Sequence, residues 1–407
     1  MSTLFGAEVR LLHVRAGGIA ALAPITANVG FLEQLSIAED LPEPVDPRTF
    51  QLGLIKINGP NGTRYFVGRT LYARNESGSR VFVGEYAAHR VVGRKWLRAS
   101  DMPAIVLKVM LSPTTEHRTI RALNSADARR VRPGCDRIPA VVLKPQEDSL
   151  DTPTKNRHLC IVAMAKAAGD LSSLGQALGG AALTTWECLR VVRGVLEEVK
   201  ACYDSYGMLH MDVKQENFLF SRAAGGALRV VLSDYGGLAE EGRAEPEELK
   251  RPTYPPLDGL RVPALVKVCL YQFGPLLMQI MGARDVVRSM HSHSGVGGIW
   301  QAYADLFGMR TLPRISTPAY AWMAFCSRYR FAQDTLPYIG FRPDVDSEAD
   351  KAMAGYDAAE RPVFSEGNEN WFTLRPGLSF SSTFEDALRL LDVLTVEQAG
   401  LDGVIAA

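Results

Sequence analysis

With 407 residues, the chain is too long for one compact core and is expected to form two lobes or domains with extensions. Its 45 lysines and arginines balance 45 aspartates and glutamates, and this zero net charge argues against a nucleic-acid-binding role, which requires a basic excess. The six scattered cysteines include no CxxC pair, which favours a reducing compartment over a disulfide framework.

The beginning of the chain shows no targeting pattern. The apolar stretch at residues 19–23 is interrupted by Pro24 and is too short to span a bilayer. No charged segment precedes a clean cleavage site. We therefore expect a chain without a secretory signal or membrane span, located in the cytoplasm or nucleus, possibly of a host cell.

The first half of the chain is rich in strand signals. Residues 1–49 contain glycine, proline and acidic residues and are expected to form an N-terminal extension. Residues 54–58 and 64–67 flank the turn Gly59-Pro60-Asn61-Gly62, which predicts a hairpin. Further strands are predicted at residues 80–83, 104–110, 138–143 and 159–164, and one short helix at 114–127. A small β-rich lobe is therefore expected over residues 50–166.

The second half changes to a helical period. From Thr185 to Tyr206, apolar residues recur at three- and four-residue steps, which predicts an amphipathic helix with Gly207 as its C-cap. Helical patterns return at residues 262–281 and 384–394. This order favours an α+β, two-lobed fold with a larger helical lobe at 167–345. Residues 346–407 would be a C-terminal extension or the end of that lobe.

Two segments carry the residue types that phosphoryl transfer needs. Residues 209–220 read Leu-His-Met-Asp-Val-Lys-Gln-Glu-Asn-Phe-Leu-Phe and follow the long helix as a loop. Residues 230–237 form an apolar run that ends in Asp-Tyr-Gly-Gly. The reaction requires an acid group to orient the attacking hydroxyl, oxygen ligands for Mg²⁺ and cations on the phosphates. Aspartate, lysine and asparagine in these segments are suitable types.

These segments resemble two elements of eukaryotic protein kinases. Residues 210–217 are similar to the catalytic loop HRDxKxxN, and residues 234–236 resemble the DFG element with tyrosine for phenylalanine. The resemblance implies that Asp212 accepts or orients the proton of a substrate hydroxyl and that Lys214 neutralises the transferring phosphate. It also implies that Asn217 and Asp234 hold Mg²⁺. The lysine two positions after Asp212 is typical of the Ser/Thr-specific subgroup.

The resemblance extends over roughly residues 50–300. Residues 106–108 are similar to the strand-three lysine motif, which implies that Lys108 binds the α and β phosphates of ATP. Its partner on the following helix is expected to be Glu116, with Asp127 as a second candidate. Glu116 lies only eight positions after the lysine, so this helix must be trimmed or shifted.

The next matching region is similar to the kinase hinge, at residues 160–171. It implies that Met164 is the gatekeeper, that backbone groups of Ala165 and Ala167 face adenine, and that Asp170 lies at the nucleotide site. Downstream, residues 253–256 resemble the end of an activation segment. Residues 271–274 resemble the WSxG part of helix F, with Cys269 replacing its usual aspartate.

The sequence departs from the kinase pattern in two further places. The expected GxGxxG is missing between the first two strands, and Gly59-Pro60-Asn61-Gly62 is typical of a plain turn. Phosphate binding would then depend more on Lys108, Mg²⁺ and the nearby Arg64 or Arg69. In place of the family's arginine, Met211 cannot bind an activation-segment phosphate.

Three functions are compatible with this pattern. The retained catalytic set favours an active Ser/Thr protein kinase that uses ATP and Mg²⁺ and acts on a protein substrate. The missing glycine loop, Met211 and Cys269 favour a pseudokinase, which would serve as a nucleotide-binding scaffold or interaction module. A kinase-fold phosphotransferase acting on a small molecule is the third alternative.

Overall fold

The computed structural model describes the following residues: 6–10, 16–25, 29–38, 54–76, 79–110, 115–125, 140–143, 160–240, 266, 269–270, 272–282, 318–319, 322, 326, 353–356, 362–364 and 383–401. The chain divides into two compact units. The first, here called the helical unit, comprises Met1–Leu22, Gly169–Ser233 and Gly237–Ala407. The second, the sheet unit, comprises Ala23–Ala168 and Asp234–Gly236.

The strands that the structure describes are β1 (Ala7–Val9), β2 (Ser36–Ile37), β3 (Leu54–Gly59), β4 (Gly62–Glu76), β5 (Ser79–Val92), β6 (Lys95–Arg98), β7 (Ile105–Met110), β8 (Ala140–Leu143), β9 (Cys160–Ala165), β10 (Gly169–Asp170), β11 (Met208–His210), β12 (Phe218–Arg222), β13 (Leu228–Leu232), β14 (Leu238–Glu240), β15 (Met353–Tyr356) and β16 (Pro362–Phe364). The α-helices are α1 (Ala16–Ala21), α2 (Val29–Leu32), α3 (Thr115–Leu123), α4 (Leu174–Ala177), α5 (Thr185–Tyr206), α6 (Phe273–Ile280) and α7 (Phe384–Leu401). Short 3₁₀ helices occur at Leu171–Ser173, Gln215–Asn217 and Tyr235–Gly237.

The sheet unit is built on one eight-stranded antiparallel sheet. Its order is β2-β3-β4-β5-β7-β9-β8, and β6 pairs with β5 outside this path. Along β7, Ile105, Leu107 and Val109 are fully buried in the core, whereas the intervening Val106 and Lys108 lie on the opposite face. This period of two fixes the register and leaves the lysine on the face away from the core.

The hairpin predicted before the lysine strand is confirmed. Gly59 pairs with Gly62 in register across the turn that joins β3 and β4, and Gly62 has a φ of +84°, which favours glycine. The following hairpin is longer than the sequence pattern predicts. Strand β5 continues to Val92, whereas the β-type run indicated only residues 80–83.

The helical unit is organised around the predicted long helix, whose bounds are confirmed. A capping box opens α5: the Thr184 hydroxyl accepts the N–H of Glu187, and the carboxylate of Glu187 accepts the N–H of Thr184. Gly207, with a φ of +64°, ends the helix. Helix α7 begins at the predicted Phe384 but extends to Leu401.

The first residues of the chain pair with a distant strand in the helical unit. Strand β1 is the edge of the four-stranded sheet β1-β13-β12-β10, where Ala7 lies opposite Val230. Gly194 of α5 leaves room for this strand, because a Cβ there would approach Val9 Cγ2 to 2.4 Å. Beneath it, the fully buried Glu198 carboxylate accepts the backbone N–H of Leu232.

The expected α+β class with two lobes is confirmed. Several sequence predictions lie outside the described residues, namely Asp127, residues 253–256, Tyr271, and residues 262–265 and 267–268 of the helix predicted at 262–281, within which α6 is helical. In the described portion, none of the helices has the length and apolar character needed to cross a membrane.

Candidate active site

The helical unit holds the proposed catalytic aspartate in a dense hydrogen-bond network. Asp212 is buried, and its Oδ2 lies 2.7 Å from Nζ of Lys214. Asn217 donates through Nδ2 to the backbone carbonyl of Asp212 at 2.7 Å and to Oδ2 at 3.1 Å. Within the described structure, Oδ1 of the aspartate is buried and has no hydrogen-bond partner. The network therefore orients one carboxylate oxygen and leaves the other for a further donor.

The backbone of the loop that carries Asp212 is fixed by His210 and by Gly237. The buried His210 accepts the backbone N–H of Asp212 at Nδ1, at 3.2 Å, and its ring packs against Phe218. The N–H of Met211 donates to the carbonyl of Gly237 at 2.7 Å. A side chain at Gly237 would press on the His210 ring, since its Cβ would lie 2.9 Å from Cε1. The His210 ring and the backbone carbonyl of Gly237 thus hold the backbone of this loop in place.

Two glutamines that sequence reasoning missed also anchor this loop. Gln272, just before α6, accepts the backbone N–H of Val213 with its side-chain carbonyl at 2.7 Å, and it is completely buried. Gln279 of α6 accepts the N–H of Gln215 at 3.3 Å. The signal was the replacement of an expected aspartate by the buried Cys269, which requires another acceptor nearby.

The sheet unit brings the other predicted groups together. Nζ of Lys108 lies 2.5 Å from Oε2 of Glu116 on α3 and 3.6 Å from Oδ1 of Asp234. Burial raises the pKa of Glu116 to about 7, while the charge of Lys108 acts in the opposite direction. The nearby Asp234 also raises this pKa. The lysine is therefore set between two carboxyl groups, of which only Asp234 is substantially exposed.

The Asp-Tyr-Gly element packs closely on α3. The N–H of Gly236 donates to Oδ1 of Asp234 at 3.1 Å, and the backbone of Tyr235 hydrogen-bonds Glu116. A Cβ on Gly236 would come within 3.3 Å of the Glu116 Cβ. The glycine therefore allows the close approach that ties Asp234 to the lysine–glutamate pair.

The predicted hinge residues lie at the end of β9 and directly after it. Met164 lies opposite Val106 in the register of β9 and β7 and so shares the face of Lys108. Ala165 ends β9 with its side chain in the core, and Ala167 is half-buried after the strand. Lys166, between them, forms a 2.5 Å ion pair with Glu85, which sequence reasoning did not identify.

Asp170 has a local structural role. It precedes the 3₁₀ helix Leu171–Ser173 as its N-cap, and its Oδ1 accepts Ser172 Oγ at 2.5 Å and the Ser173 N–H at 3.2 Å. Its expected place at the nucleotide stays a prediction.

The structure corrects the expected position of the phosphate loop. The strand next to the lysine strand β7 is β5, and β5 is joined to β4, not to β3. The turn Gly59-Pro60-Asn61-Gly62 therefore lies one hairpin away from the expected place. Strand β4 ends at Glu76 and β5 begins at Ser79; residues 77–78 between them, which include one glycine, Gly78, lie outside the described residues.

Arg64 is engaged elsewhere. It lies on β4 near the turn at residues 59–62, and its Nη2 forms an ion pair with Oδ2 of Asp101 at 3.2 Å. The side chain of Arg69 lies outside the described residues. Among the three cations proposed to bind phosphates, the described structure places Lys108 next to Asp234.

The oxygen groups present suit a nucleotide-bound Mg²⁺. Because Asn217 donates through Nδ2 to Asp212, its amide oxygen is left as an acceptor. In the sheet unit, Asp234 supplies a partly exposed carboxylate. No three His, Cys, Asp or Glu side chains come together as a metal cage in the described part of the chain. Mg²⁺ is commonly held by one or two protein oxygens together with substrate phosphates, so each of these oxygen groups is of a suitable type.

Comparison with curated proteins gives one local match. The serine/threonine-protein kinase PknJ of Mycobacterium tuberculosis and that of Mycobacterium bovis are each 43% identical over 60 residues, or 15% of this chain. The match covers 10% of each relative, so the chain spans about a tenth of the length of these proteins. No family model matches the chain.

Comparison with solved structures gives broader coverage at low identity. One crystal structure of a double mutant of the Mycobacterium tuberculosis PknI kinase domain aligns with a TM-score of 0.40 and 14% identity, covering 88% of this chain and 100% of that one. A second PknI double mutant aligns with a TM-score of 0.36 and 16% identity, covering 66% and 88%. The Asp212–Lys214–Asn217 network and the Lys108–Glu116 pair thus lie in an α+β, two-lobed, kinase-like fold.

Proposed function

We propose that the chain is an ATP-dependent protein kinase of the serine/threonine type. The observation that carries this proposal is the Asp212 carboxylate, which is held by Lys214 and Asn217 through one oxygen while its other oxygen stays free. A buried, oriented carboxylate with one unpaired oxygen suits the acceptance of a hydroxyl proton. The local match to serine/threonine-protein kinases supports the same class.

The proposed reaction assigns each charged group a part. A substrate serine or threonine hydroxyl donates its proton to Oδ1 of Asp212 while its oxygen forms a bond to the γ-phosphorus of ATP, and ADP leaves with the bridging oxygen. Lys214, next to the carboxylate, balances charge on the transferring group. Lys108 binds the α and β phosphates, and Glu116 holds its ammonium in place.

The metal would be held by the two oxygen groups described above. Asn217 and Asp234 are proposed to coordinate Mg²⁺ together with ATP, and the bound ion would neutralise charge on the phosphates. The carboxylate of Asp234 is already oriented by the N–H of Gly236 and by Lys108. This orientation reduces the rearrangement that binding requires.

The pseudokinase alternative is supported by one sequence feature. Between Glu76 and Ser79, at the junction of β4 and β5, the sequence has the single glycine Gly78 and no GxGxxG, which favours weaker backbone contact with phosphates than a glycine-rich loop makes. Against it, the replacement of aspartate at Cys269 does not free the catalytic loop, because Gln272 and Gln279 accept its backbone N–H groups. We therefore favour an active enzyme.

The experiment is a radiolabelled ATP transfer assay with Mg²⁺ on casein and myelin basic protein. We expect wild-type protein and Glu216→Gln to label these substrates, and Asp212→Asn to lose labelling by about a hundredfold or more. Glu216 is a matched control because it is an exposed carboxylate on the same loop. No labelling by the wild type, with Mg²⁺-ATP still raising the melting temperature, would replace the kinase with a nucleotide-binding scaffold.

A further inference from the structure

A two-stranded ribbon projects from the sheet unit. The end of β5 pairs with β6 from His89–Arg98 to Val92–Lys95, around a turn at Gly93 and Arg94. Strand β4 pairs with β5 only as far as His89, so β6 is the neighbour of the last residues of β5. All residues from 90 to 98 are exposed. We call residues 89–98 the basic ribbon.

The ribbon concentrates exposed apolar surface. Among the described residues, six large apolar side chains are exposed, and four of them lie here: Val91 (48%), Val92 (51%), Trp96 (47%) and Leu97 (42%). By strand register, Val91 and Trp96 share one face, while Val92 and Leu97 lie on the other. Exposed apolar side chains grouped in this way mark an interaction surface, because scattered ones carry no such meaning.

The same ribbon is strongly cationic in a chain of zero net charge. Arg90, Arg94, Lys95 and Arg98 lie within nine residues, and no acidic residue occurs between Glu85 and Asp101. Among the ion pairs of the described residues, none involves these four cations. The partner of this surface must therefore be anionic and must also accept apolar side chains.

The Trp96 ring is oriented by its neighbour. It meets Tyr65 of β4 edge to face, with ring centroids 5.0 Å apart and an interplanar angle of 87°. Nearly half of the tryptophan still faces solvent. Tryptophan with flanking lysine and arginine is the typical composition of protein segments at the membrane–water interface.

We propose that the basic ribbon binds an anionic lipid bilayer. The apolar pairs near the turn enter the boundary between headgroups and acyl chains, and the long side chains of Arg94 and Lys95 extend back to the phosphates. Arg90 and Arg98, nearer the sheet, contact the headgroups. Exposure on both faces suits this shallow insertion, because the bilayer surrounds the tip of the ribbon.

A nucleic acid fits the same surface less well. Single-stranded nucleic acid binds by stacking bases on aromatic rings, and Trp96 is the one exposed aromatic side chain on the ribbon. Val91, Val92 and Leu97 offer no stacking face and would stay exposed beside phosphates. A second copy of the chain would bring like charges together. The aliphatic share of the surface therefore favours lipid.

The experiment is vesicle flotation with the full chain. Vesicles of phosphatidylcholine with about one third phosphatidylserine are compared with pure phosphatidylcholine. Two variants separate the contributions: Arg94→Gln with Lys95→Gln, and Val92→Ser with Leu97→Ser. Val396→Ser is the matched control, because Val396 is an exposed apolar residue on α7 in the other unit.

We expect the wild type and Val396→Ser to float with anionic vesicles and to bind neutral ones much more weakly. Each removed cation should reduce partitioning about fivefold, so the charge variant should lose about 25-fold. The apolar variant should lose about tenfold or more. The proposal is overturned if the wild type does not float with anionic vesicles, or if neither variant changes flotation. Retention of a single-stranded RNA by the wild type but no vesicle binding would overturn it in favour of a nucleic-acid site.

Discussion

The side-chain carbonyl of Gln272 accepts the backbone N–H of Val213 at 2.7 Å, and Val213 directly follows the candidate base Asp212. The glutamine thereby fixes the peptide that sets the direction of the aspartate side chain. Its burial excludes water as a substitute acceptor. Gln272 is thus a positioning residue for the proposed reaction.

Replacing this glutamine should reduce turnover more than substrate binding. In Gln272→Ala the Val213 N–H is left unsatisfied, which costs about 1–3 kcal/mol. We expect kcat to fall about 10- to 100-fold with KM for ATP nearly unchanged, measured by steady-state transfer. Gln279→Ala, which removes a longer 3.3 Å bond, should have a smaller effect. A lower melting temperature with unchanged kcat would show that Gln272 acts only on stability.

The Lys108 ammonium should be required for nucleotide binding. In Lys108→Met the cation expected at the α and β phosphates is lost, and Glu116 is left buried with its charge unpaired. We expect at least a tenfold weaker affinity for Mg²⁺-ATP in calorimetric titration. Lys56→Met is the control. Lys56 is a lysine of the same unit, on β3, and its ammonium lies over the ring of Tyr65 on β4. Equal affinities in the two variants would contradict the role of Lys108.

Activity should not depend on phosphorylation of the segment at residues 253–256. Met211 is buried and apolar and contributes its N–H to the carbonyl of Gly237, so it offers no charge to a phosphate. The double variant Thr253→Ala, Tyr254→Phe should therefore keep kcat within about twofold of wild type. A large loss of kcat without unfolding would reject this independence.

Much of the helical unit can be predicted from sequence because its signals are local. The bounds of α5 follow from apolar periodicity and from Gly207, and the spacing of residues 210–217 indicated the loop that brings Asp212, Lys214 and Asn217 together. The basic ribbon escaped prediction because both of its faces are exposed, so the usual alternation of apolar and polar residues is missing. The Gln272–Val213 bond spans 59 positions, and no local pattern indicates it.

The pairing of β1 with β13 was likewise not predicted from the sequence, and it covers a buried carboxyl group that leads to a pH prediction. Glu198 lies beneath β1 and is hydrogen-bonded by the N–H groups of Leu232, Gly6 and Ala7. Burial nevertheless raises the pKa of Glu198 to about 8 from its ordinary 4.5. Between these values the unfolded chain has lost this proton while the folded chain keeps it. Rising pH therefore lowers the free energy of unfolding, by at most about 1.4 kcal/mol per pH unit from this one group.

The variant Glu198→Gln removes this proton and keeps a side-chain carbonyl for the Leu232 N–H. We expect the free energy of unfolding of this variant, relative to that of wild type, to increase as pH rises from about 5 to 8. Urea unfolding at several pH values measures the difference, with Glu197→Gln, a partly exposed carboxylate on the same helix, as control. Parallel pH profiles of wild type and Glu198→Gln would show that the buried carboxyl group does not titrate in this window.

Asp212 is proposed to serve as the base that accepts the proton of a protein hydroxyl during phosphoryl transfer. The most direct measurement is mass spectrometry of a protein substrate after incubation with ATP and Mg²⁺, with phosphoserine and phosphothreonine counted over time. Wild type should form both products, and Asp212→Asn should form them about a hundredfold or more slowly while binding ATP as before. Equal product formation by wild type and Asp212→Asn would contradict the assignment.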